Sequence, residues 1–522
     1  MNTTALSIWT AVLSCYAPFL YSEQFPSGKT DLGQVSFTIL EVTANTPIPC
    51  RIHLSNAAGK PVLCDHLPSF RDHFCCDGKA TLTLPSGKYT YAIERGPEYE
   101  RHNGSFGIKA GTIIDVSITL KRIANMAAEG WWSGDLHVHR PAEDIELLMH
   151  AEDLHVAPIL TWWNQSNKWT SSELPEDRVL RFDDNRFCDL LGGEDERRGG
   201  AFMYFRMRAP IDITWAEPEY PSPLHFIEQA RKQPGAWVDI EKPFWWDVPV
   251  VLAHGYGDSI GLLNNHCWRS QMLDNEAWGK PRDKEKFPSP LGNGLWSQQI
   301  YYHILNSGIR LAPSAGSASG VLTNPVGYNR VYVYTGGGKL DYDLWWKNLR
   351  NGISFVTNGP LIQANVSGCK PGHIFKSPKG LAVNLDIRLS ITSNDPIRSI
   401  EIVENGSVEK TVPYTQFTKD GYLGTLKFTE SGWFLIRVIA DVPHTFRFAS
   451  TAPYYVEIGE NKHHLSSKSI RFFNEWVDER IRQIELEEPR KREEVLKYHH
   501  KAKQFWQQRL NMANTPDTSE GH

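Results

Sequence analysis

The sequence predicts a multidomain protein that combines an α/β domain with all-β domains. Between residues 125 and 362, strand-like and helix-like segments alternate, which is typical of a barrel-like βα domain. On either side, apolar and polar residues alternate with period two and no helical pattern intervenes, which predicts two flanking β-sandwiches. A charged segment with helical periodicity at 466–511 predicts a C-terminal helical tail.

The N-terminal segment differs from the rest of the chain. Residues 1–22 carry no charge and are mostly apolar, which is typical of a secretory signal peptide, although no Lys or Arg precedes the apolar run. We therefore expect an exported protein that is periplasmic, on the cell surface or secreted. The alternative is an apolar N-terminus of a cytosolic protein.

Composition excludes several partner classes. A net charge of -5 on 522 residues and the absence of a basic stripe argue against nucleic acid binding. No stretch within the body of the chain approaches eighteen consecutive apolar residues, so we expect no transmembrane span. A small-molecule or glycan-type substrate remains, and the oligomeric state is not determined by the sequence.

Residues 33–122 are predicted to form the first sandwich. Val35, Phe37 and Ile39 share one face of a strand, and the strand after the turn at 85–87 is similar to that of carboxypeptidase-regulatory modules. The region is also rich in cysteine, with residues at Cys50, Cys64, Cys75 and Cys76. We expect one of the first two to lie near one of the last two, where an exported protein can form a bridge.

The predicted βα domain spans 125–362, with the second sandwich at 365–460. Its expected strands are Leu136–His139, Val156–Thr161, Trp237–Ile240, Ser259–Leu263, Ile309–Pro313 and Arg330–Tyr334. Its expected helices are Ala142–Asp153, Leu224–Lys232, Ser297–Asn306 and Tyr342–Arg350. In barrels of this type the chemistry lies at the C-terminal ends of the strands.

One such strand end carries the sequence Gly134-Asp135-Leu136-His137-Val138-His139. In an extended segment, residues i and i+2 point to the same side, so His137 and His139 can aim two imidazoles at one point. Neutral imidazole is a common metal ligand, which predicts a metal site. The alternative is a pair of strand-end histidines that faces solvent.

This motif resembles the first motif of PHP-type metallohydrolases (the polymerase-and-histidinol-phosphatase domains), and more closely that of their CehA/McbA, or carbaryl-hydrolase-like, branch. Three further stretches carry the likeness, at 191–197, 258–266 and 355–360. The resemblance implies a distorted βα barrel and divalent-metal-dependent hydrolysis of an ester, a phosphoester or a carbamate.

The sequence departs from this pattern at several ligand positions. Family members carry Thr-Asp-His-Asn, Ala-His-Pro and a late Asp-x-His, whereas this chain has Thr-Trp-Trp-Asn at 161–164, Glu-Lys-Pro at 241–243 and Gly-Ser-Ala-Ser-Gly at 316–320. The candidate ligands that remain are His137, His139, Glu194 and His266, with His254 in reserve. A mixed nitrogen and oxygen set suits Zn, Mn or Fe, and its small size favours one metal over two.

Other residues are candidates for catalysis and substrate binding. We expect Glu241 to act as general base, Lys242 to replace the charge of a missing second metal, and Asp135 to contribute beside the His pair. Arg330, Asn324 and Trp163 are candidate substrate contacts. Each also has a structural interpretation, as a surface ion pair, a salt bridge or core packing.

These observations predict an exported metal-dependent hydrolase that acts through a metal-activated water. The alternative is a noncatalytic or weakly catalytic scaffold that binds a glycan or another cell-surface ligand through a degenerate metal site. The four Trp-Trp pairs, at 131–132, 162–163, 245–246 and 345–346, could line a ligand groove, and core packing is the alternative that accounts for at least half of them.

Overall fold

The computed structural model describes residues 31–515. The predicted signal peptide at 1–22 lies outside the described residues. The chain is a β-rich mixed protein, and its described part contains six sheets and seven α-helices. This architecture agrees with the multidomain, mixed α/β and all-β class that the sequence predicts.

The N-terminal region consists of two facing sheets. One has the strand order β5-β1-β8 and the other has the order β3-β4-β2-β6-β7, and their inner faces share one apolar cluster. Cys50 and Cys76 lie opposite each other on antiparallel strands with their Sγ atoms 3.7 Å apart. The strands are β1 (Leu32–Glu41), β2 (Cys50–Asn56), β3 (Ser69–Phe70), β4 (His73–Cys76), β5 (Lys79–Pro85), β6 (Gly87–Glu94), β7 (His102–Ile108) and β8 (Ile113–Leu120).

The central region alternates strands and helices, with one short 3₁₀ turn at Lys168–Thr170. Its strands are β9 (Trp131–Gly134), β10 (Leu160–Trp163), β11 (Ser166–Asn167), β12 (Val179–Arg181), β13 (Phe187–Asp189), β14 (Gly192–Arg197), β15 (Gly200–Phe205), β16 (Trp237–Ile240), β17 (Ser259–Leu263), β18 (Ala312–Ala315), β19 (Arg330–Tyr334) and β20 (Ser354–Thr357). Its helices are α1 (Ile145–Ala151), α2 (Pro223–Arg231), α3 (Val248–Ala253), α4 (Gly292–Asn306) and α5 (Tyr342–Arg350).

A seven-stranded sheet with the order β11-β10-β14-β15-β16-β17-β18 forms the centre of this region. The β10–β14, β16–β17 and β17–β18 pairs are parallel, as βα alternation predicts. Strand β15 runs antiparallel to both of its neighbours, because it forms a hairpin with β14 instead of following a helix. The sheet is therefore mixed.

Residues 135–139 lie between β10, near one end of this sheet, and β18, at the other end. Leu136 N donates to Ala315 O (3.0 Å) at the end of β18, and Leu160 N of β10 donates to Val138 O (2.8 Å). The regular strand in this part of the chain is β9, which ends before the strand predicted at Leu136–His139. Strand β9 belongs to a different sheet, and the chain leaves that sheet at Asp135. This transition brings His137 and His139 close to Glu194 on β14.

The second large sheet has nine strands and crosses the predicted boundary at 362–365. It joins β9, β19 and β20 to strands of the C-terminal region in the order β22-β29-β27-β28-β20-β19-β9, with β24 and β25 attached at β27. The sheet β21-β23-β26 packs against it through a shared apolar cluster. The strands are β21 (Leu361–Val366), β22 (Ile374–Ser377), β23 (Val383–Thr392), β24 (Ile397–Glu404), β25 (Ser407–Pro413), β26 (Tyr422–Phe428), β27 (Gly432–Ala440), β28 (Phe448–Thr451) and β29 (Tyr454–Ile458).

Two helices, α6 (Ser467–Gln483) and α7 (Pro489–Asn511), form the C-terminal tail. They pack against each other and against α3, and Phe473, Trp476 and Trp506 belong to the largest apolar cluster of the protein. Within residues 31–515, no helix combines the length and apolarity that a membrane crossing requires.

Candidate metal centre

Three of the four predicted ligands meet at one point. Donor atoms of His137, His139 and Glu194 all lie within 4.8 Å of one another. The Nε2 atoms of the two imidazoles are 3.0 Å apart, and Glu194 Oε2 lies 3.6 Å from Nε2 of His137 and 3.3 Å from Nε2 of His139. The arrangement is compact enough for one small cation.

Local sequence explains how these side chains converge. His137 and His139 flank Val138, whose backbone bridges to both ends of the seven-stranded sheet, so their side chains share one side of an extended segment. Glu194 lies on β14, which pairs with β10 in the same sheet. Gly193, beside it, lies against the indole of Trp162, so that no side chain separates the two strands.

The carboxylate of Glu194 has an unusual environment. Its Oε2 atom is buried and accepts no hydrogen bond from any described residue, although it faces two imidazole nitrogens. Buried carboxylate oxygens are normally paired, because an unpaired one loses its hydration without compensation. Two nitrogen donors and one oxygen donor that converge on one point fit a divalent metal.

Glu241 and Lys242 follow directly after β16 and are both buried. Glu241 Oε1 lies 3.4 Å from Nδ1 of His137, on the side of the ring opposite Glu194. Its Oε2 accepts hydrogen bonds from Lys242 Nζ and from Trp245 Nε1, the latter at 2.9 Å. The Lys242 ammonium also lies 4.6 Å from the centroid of the Trp245 ring. Glu241 therefore connects the Lys242 charge to His137.

The charges of this cluster are strongly coupled. Burial alone would lower the pKa of His137, but the carboxylates of Glu194 and Glu241 raise it to about 10. Burial likewise opposes ionisation of Glu194, yet the two imidazoles hold its pKa well below the usual range. Burial lowers the pKa of His139. The cluster therefore holds an ionised Glu194, a protonated His137 and a neutral His139.

Asp135 holds the backbone around the histidines. Its carboxylate accepts hydrogen bonds from three backbone N–H groups, those of His137 (3.0 Å), Ser317 (3.0 Å) and Gly327 (2.7 Å). These contacts fix the point where the chain passes from one sheet to the other. Asp135 therefore fixes the backbone position of His137.

His266 and His254 do not join the three donors. Strand β17 ends at Leu263, and His266 lies in the turn that follows, where its N–H donates to Asn264 Oδ1 (3.1 Å). Burial and then the charge of Lys242 lower the pKa of His266 to about 3, so its imidazole is neutral on the Lys242 side of the cluster. His254 Nε2 contacts Tyr498 O (3.1 Å) in the C-terminal tail.

Of the predicted substrate contacts, only Trp163 borders the site. Its ring centroid lies 4.9 Å from that of His139, and its Nε1 donates to Glu196 Oε2 (3.0 Å). Arg330 donates to Gly327 O (2.5 Å) in a separate cleft. The side-chain amide of Asn324 donates to the backbone carbonyl of Cys267 (3.1 Å), within the loops. The structure does not bring these last two residues to the donors.

Two carboxyl groups near the site, the half-buried Glu196 and the buried Asp239, had no role in the sequence interpretation. Glu196 follows Glu194 by two residues on β14, and burial together with the Glu194 charge raises its pKa to about 8. Asp239 precedes Glu241 by two residues, accepts a hydrogen bond from Ser314 Oγ (2.5 Å), and burial raises its pKa to about 7. Strand periodicity could have identified both, because residues two apart share a face.

Comparisons with known proteins do not identify a family. No family model matches the chain, and no curated protein matches it. Among solved structures, a streptococcal ancillary pilin is 13% identical over 22% of this chain and 38% of its own length, with a TM-score of 0.16. The fibronectin(III)-like modules of Clostridium thermocellum CbhA are 15% identical over 18% of this chain and 96% of their own length, with a TM-score of 0.13. The chain thus spans less than two fifths of the pilin.

Proposed function

We propose that this protein is an exported metal-dependent hydrolase of the PHP type that acts on an ester, a phosphoester or a carbamate. The observation that carries the proposal is the buried Glu194 Oε2, which accepts no hydrogen bond from a described residue but lies 3.6 Å and 3.3 Å from two imidazole Nε2 atoms. The contacts of residues 135–139 with both ends of the seven-stranded sheet support a closed, distorted barrel, the fold that the family resemblance implies.

In this proposal His137, His139 and Glu194 bind one divalent metal, which would be Zn, Mn or Fe. A metal of this kind polarises a carbonyl or phosphoryl bond and lowers the pKa of a water molecule. Glu241 Oε1 faces the far nitrogen of His137, the position from which a carboxylate orients a metal-binding imidazole. Because its Oε2 is also occupied, Glu241 fits a positioning role better than the general-base role expected from the sequence.

Lys242 supplies a fixed positive charge beside Glu241, which faces His137. Its ammonium is buried against Glu241 and Trp245, so its charge is screened less than a surface charge would be. Trp163 covers one side of His139 and limits the access of water.

Metal analysis of the purified full chain tests this proposal. We expect about one equivalent of Zn, Mn or Fe in the wild type, and His139→Ala should weaken metal binding by roughly a hundredfold or more, because even outer contacts of a ligand contribute 10–100-fold. His254→Ala is the matched control, since this imidazole contacts the tail. His266→Ala should retain metal, and loss of metal there would restore the four-ligand set expected from the sequence.

Turnover is measured separately on chromogenic esters, phosphoesters and carbamates, with and without a chelator. Hydrolysis that the chelator abolishes and that His139→Ala lacks supports the hydrolase. Stoichiometric metal without turnover on any of the three classes would instead support the alternative of a ligand-binding scaffold. A wild-type protein that binds no metal would contradict both.

A further inference from the structure

A second polar cleft lies away from the candidate metal centre, where the N-terminal sheets meet the central and C-terminal regions. Its walls carry five arginine side chains, Arg51, Arg101, Arg269, Arg330 and Arg447. The same walls carry three carboxylates, Glu94, Glu152 and Asp395. Guanidinium groups therefore outnumber carboxylates by two.

The carboxylates of the cleft are shared among these arginines. Glu94 contacts three of them, Arg51, Arg101 and Arg269, and Asp395 bridges Arg101 (3.3 Å) and Arg447 (2.7 Å). Buried charges are normally balanced, because each unpaired charge loses its hydration. The excess of two positive charges can therefore be balanced by a bound dianion.

Two of the arginines have unused donors. Arg447 is buried, and its Nε has no hydrogen-bond partner among the described residues. Arg101 Nε is also buried without a hydrogen-bond partner among the described residues, although it lies 3.1 Å from a Glu94 oxygen. Both guanidinium groups can therefore donate to a ligand that the chain itself does not supply.

Glycine keeps the Arg330 end of the cleft open. A Cβ atom at Gly96 would lie 3.2 Å from both Nη atoms of Arg330, and one at Gly327 would lie 3.0 Å from Nη2. Any larger residue at these positions would cover the guanidinium. The cleft has a volume of about 40 Å³. One water needs about 10–15 Å³ on the same measure, so the cleft has room for a phosphate-sized group.

We propose that this cleft binds a small oxyanion with two negative charges, such as phosphate or the phosphate group of a phosphomonoester. Arginine suits this ligand because its planar guanidinium donates two parallel hydrogen bonds to phosphate oxygens. The site is separate from the metal centre and does not depend on hydrolase activity. Gly327 links the two, since its N–H binds Asp135 and its carbonyl accepts from Arg330.

Calorimetric titration of the full chain with inorganic phosphate, glycerol 3-phosphate and chloride tests the proposal. The protein is first dialysed against a chelator, so that phosphate cannot bind through a metal. We expect saturable binding of phosphate at one site per chain and none of chloride at equal ionic strength. Tighter binding of glycerol 3-phosphate would identify a phosphomonoester as the ligand, and tighter binding of phosphate would identify the free ion; either result supports the proposal.

The variant Arg269→Gln should weaken phosphate binding by about tenfold or more, the contribution of one charged hydrogen-bond donor. Arg310→Gln is the matched control, because Arg310 has similar exposure (27% against 25%) and a comparable ion pair with Glu457 outside the cleft. If circular dichroism shows that Arg269→Gln is unfolded, Arg101→Gln, with a side chain that is 31% exposed, provides the same test. Equal phosphate binding by the wild type and the folded cleft variant, or binding no stronger than that of chloride, would overturn the proposal.

Discussion

Lys242 is a buried cation next to the candidate metal centre. It occupies a position where the family resemblance implies a ligand, and an ammonium group cannot bind a metal. The structure buries it at 4% exposure and pairs it with Glu241, which in turn faces His137. A fixed cation therefore lies two contacts away from the proposed metal ligands.

We expect Lys242→Ala to retain its metal and to reduce turnover by about a hundredfold, the contribution of one preorganised donor to a developing anion. The measurement combines metal content with the rate on whichever substrate class the wild type hydrolyses. Lys280→Ala is the matched control, because Lys280 also pairs with a glutamate and lies over tryptophan rings, but against α6. Unchanged turnover in Lys242→Ala would contradict a role for this charge in the reaction.

The close contact of β10 and β14 determines where Glu194 lies. Gly193 pairs with Trp162 across the two strands, and a Cβ atom at position 193 would lie 1.8 Å from the indole ring. Trp162 is buried and its ring stacks on that of Tyr204 of β15, with the ring centroids 5.4 Å apart, so it has little room to move. The glycine is thus required by packing.

Gly193→Ala should therefore destabilise the protein by about 1–3 kcal/mol, the usual effect of overpacking, and should also weaken metal binding by displacing Glu194. Urea unfolding and metal analysis measure the two effects. Gly87→Ala on β6 is the control, because the nearest atom to its added Cβ is 3.8 Å away. Equal stability of the two variants would show that β10 and β14 can separate without cost.

The C-terminal helices are joined to the central region by a buried charge network. Arg480 of α6 donates to Asp247 (2.7 Å) at the start of α3 and to Glu219 (2.6 Å), and His499 of α7 lies 3.3 Å from the same Asp247 oxygen. Asp247 and Arg480 are 1% and 3% exposed. This network connects segments more than 200 residues apart in the sequence.

Arg480→Gln should lower the free energy of unfolding by roughly 3–5 kcal/mol, because it leaves the Asp247 carboxylate buried without its cation. Arg482→Gln, on the exposed face of the same helix, should have little effect. Urea unfolding at neutral pH compares the two. If both variants match the wild type, α6 is held by apolar packing alone.

The Asp247–Arg480 ion pair also makes the free energy of unfolding depend on pH. Burial opposes ionisation of Asp247, but Arg480 and His499 hold its pKa well below the ordinary value of 3.8. As the pH falls below about 4, Asp247 takes up a proton in the unfolded chain before it does so in the folded protein. The free energy of unfolding that the ionised Asp247 contributes above this pH is therefore lost progressively. The stability gap between the wild type and Arg480→Gln should therefore narrow below pH 4, whereas a constant gap would contradict this coupling.

The sequence alone predicted the elements whose pattern is local. The strands Trp237–Ile240, Ser259–Leu263 and Arg330–Tyr334 and the helix Tyr342–Arg350 have the predicted bounds, because apolar periodicity and capping act over a few residues. The spacing of His137 and His139 likewise placed both imidazoles on one side of an extended segment. Their convergence with Glu194, although predicted, relied on a family resemblance and not on any local pattern.

Tertiary structure decided which distant residues meet. His266 was expected at a strand end, but β17 ends three residues earlier, and Arg330 was expected near the substrate, but β19 belongs to the other large sheet. The hairpin of β14 and β15 and the sheet that joins β9 to the C-terminal strands depend on pairing between distant segments. Local periodicity carries no information about such partners, because every strand offers the same backbone hydrogen bonds and only packing selects among them.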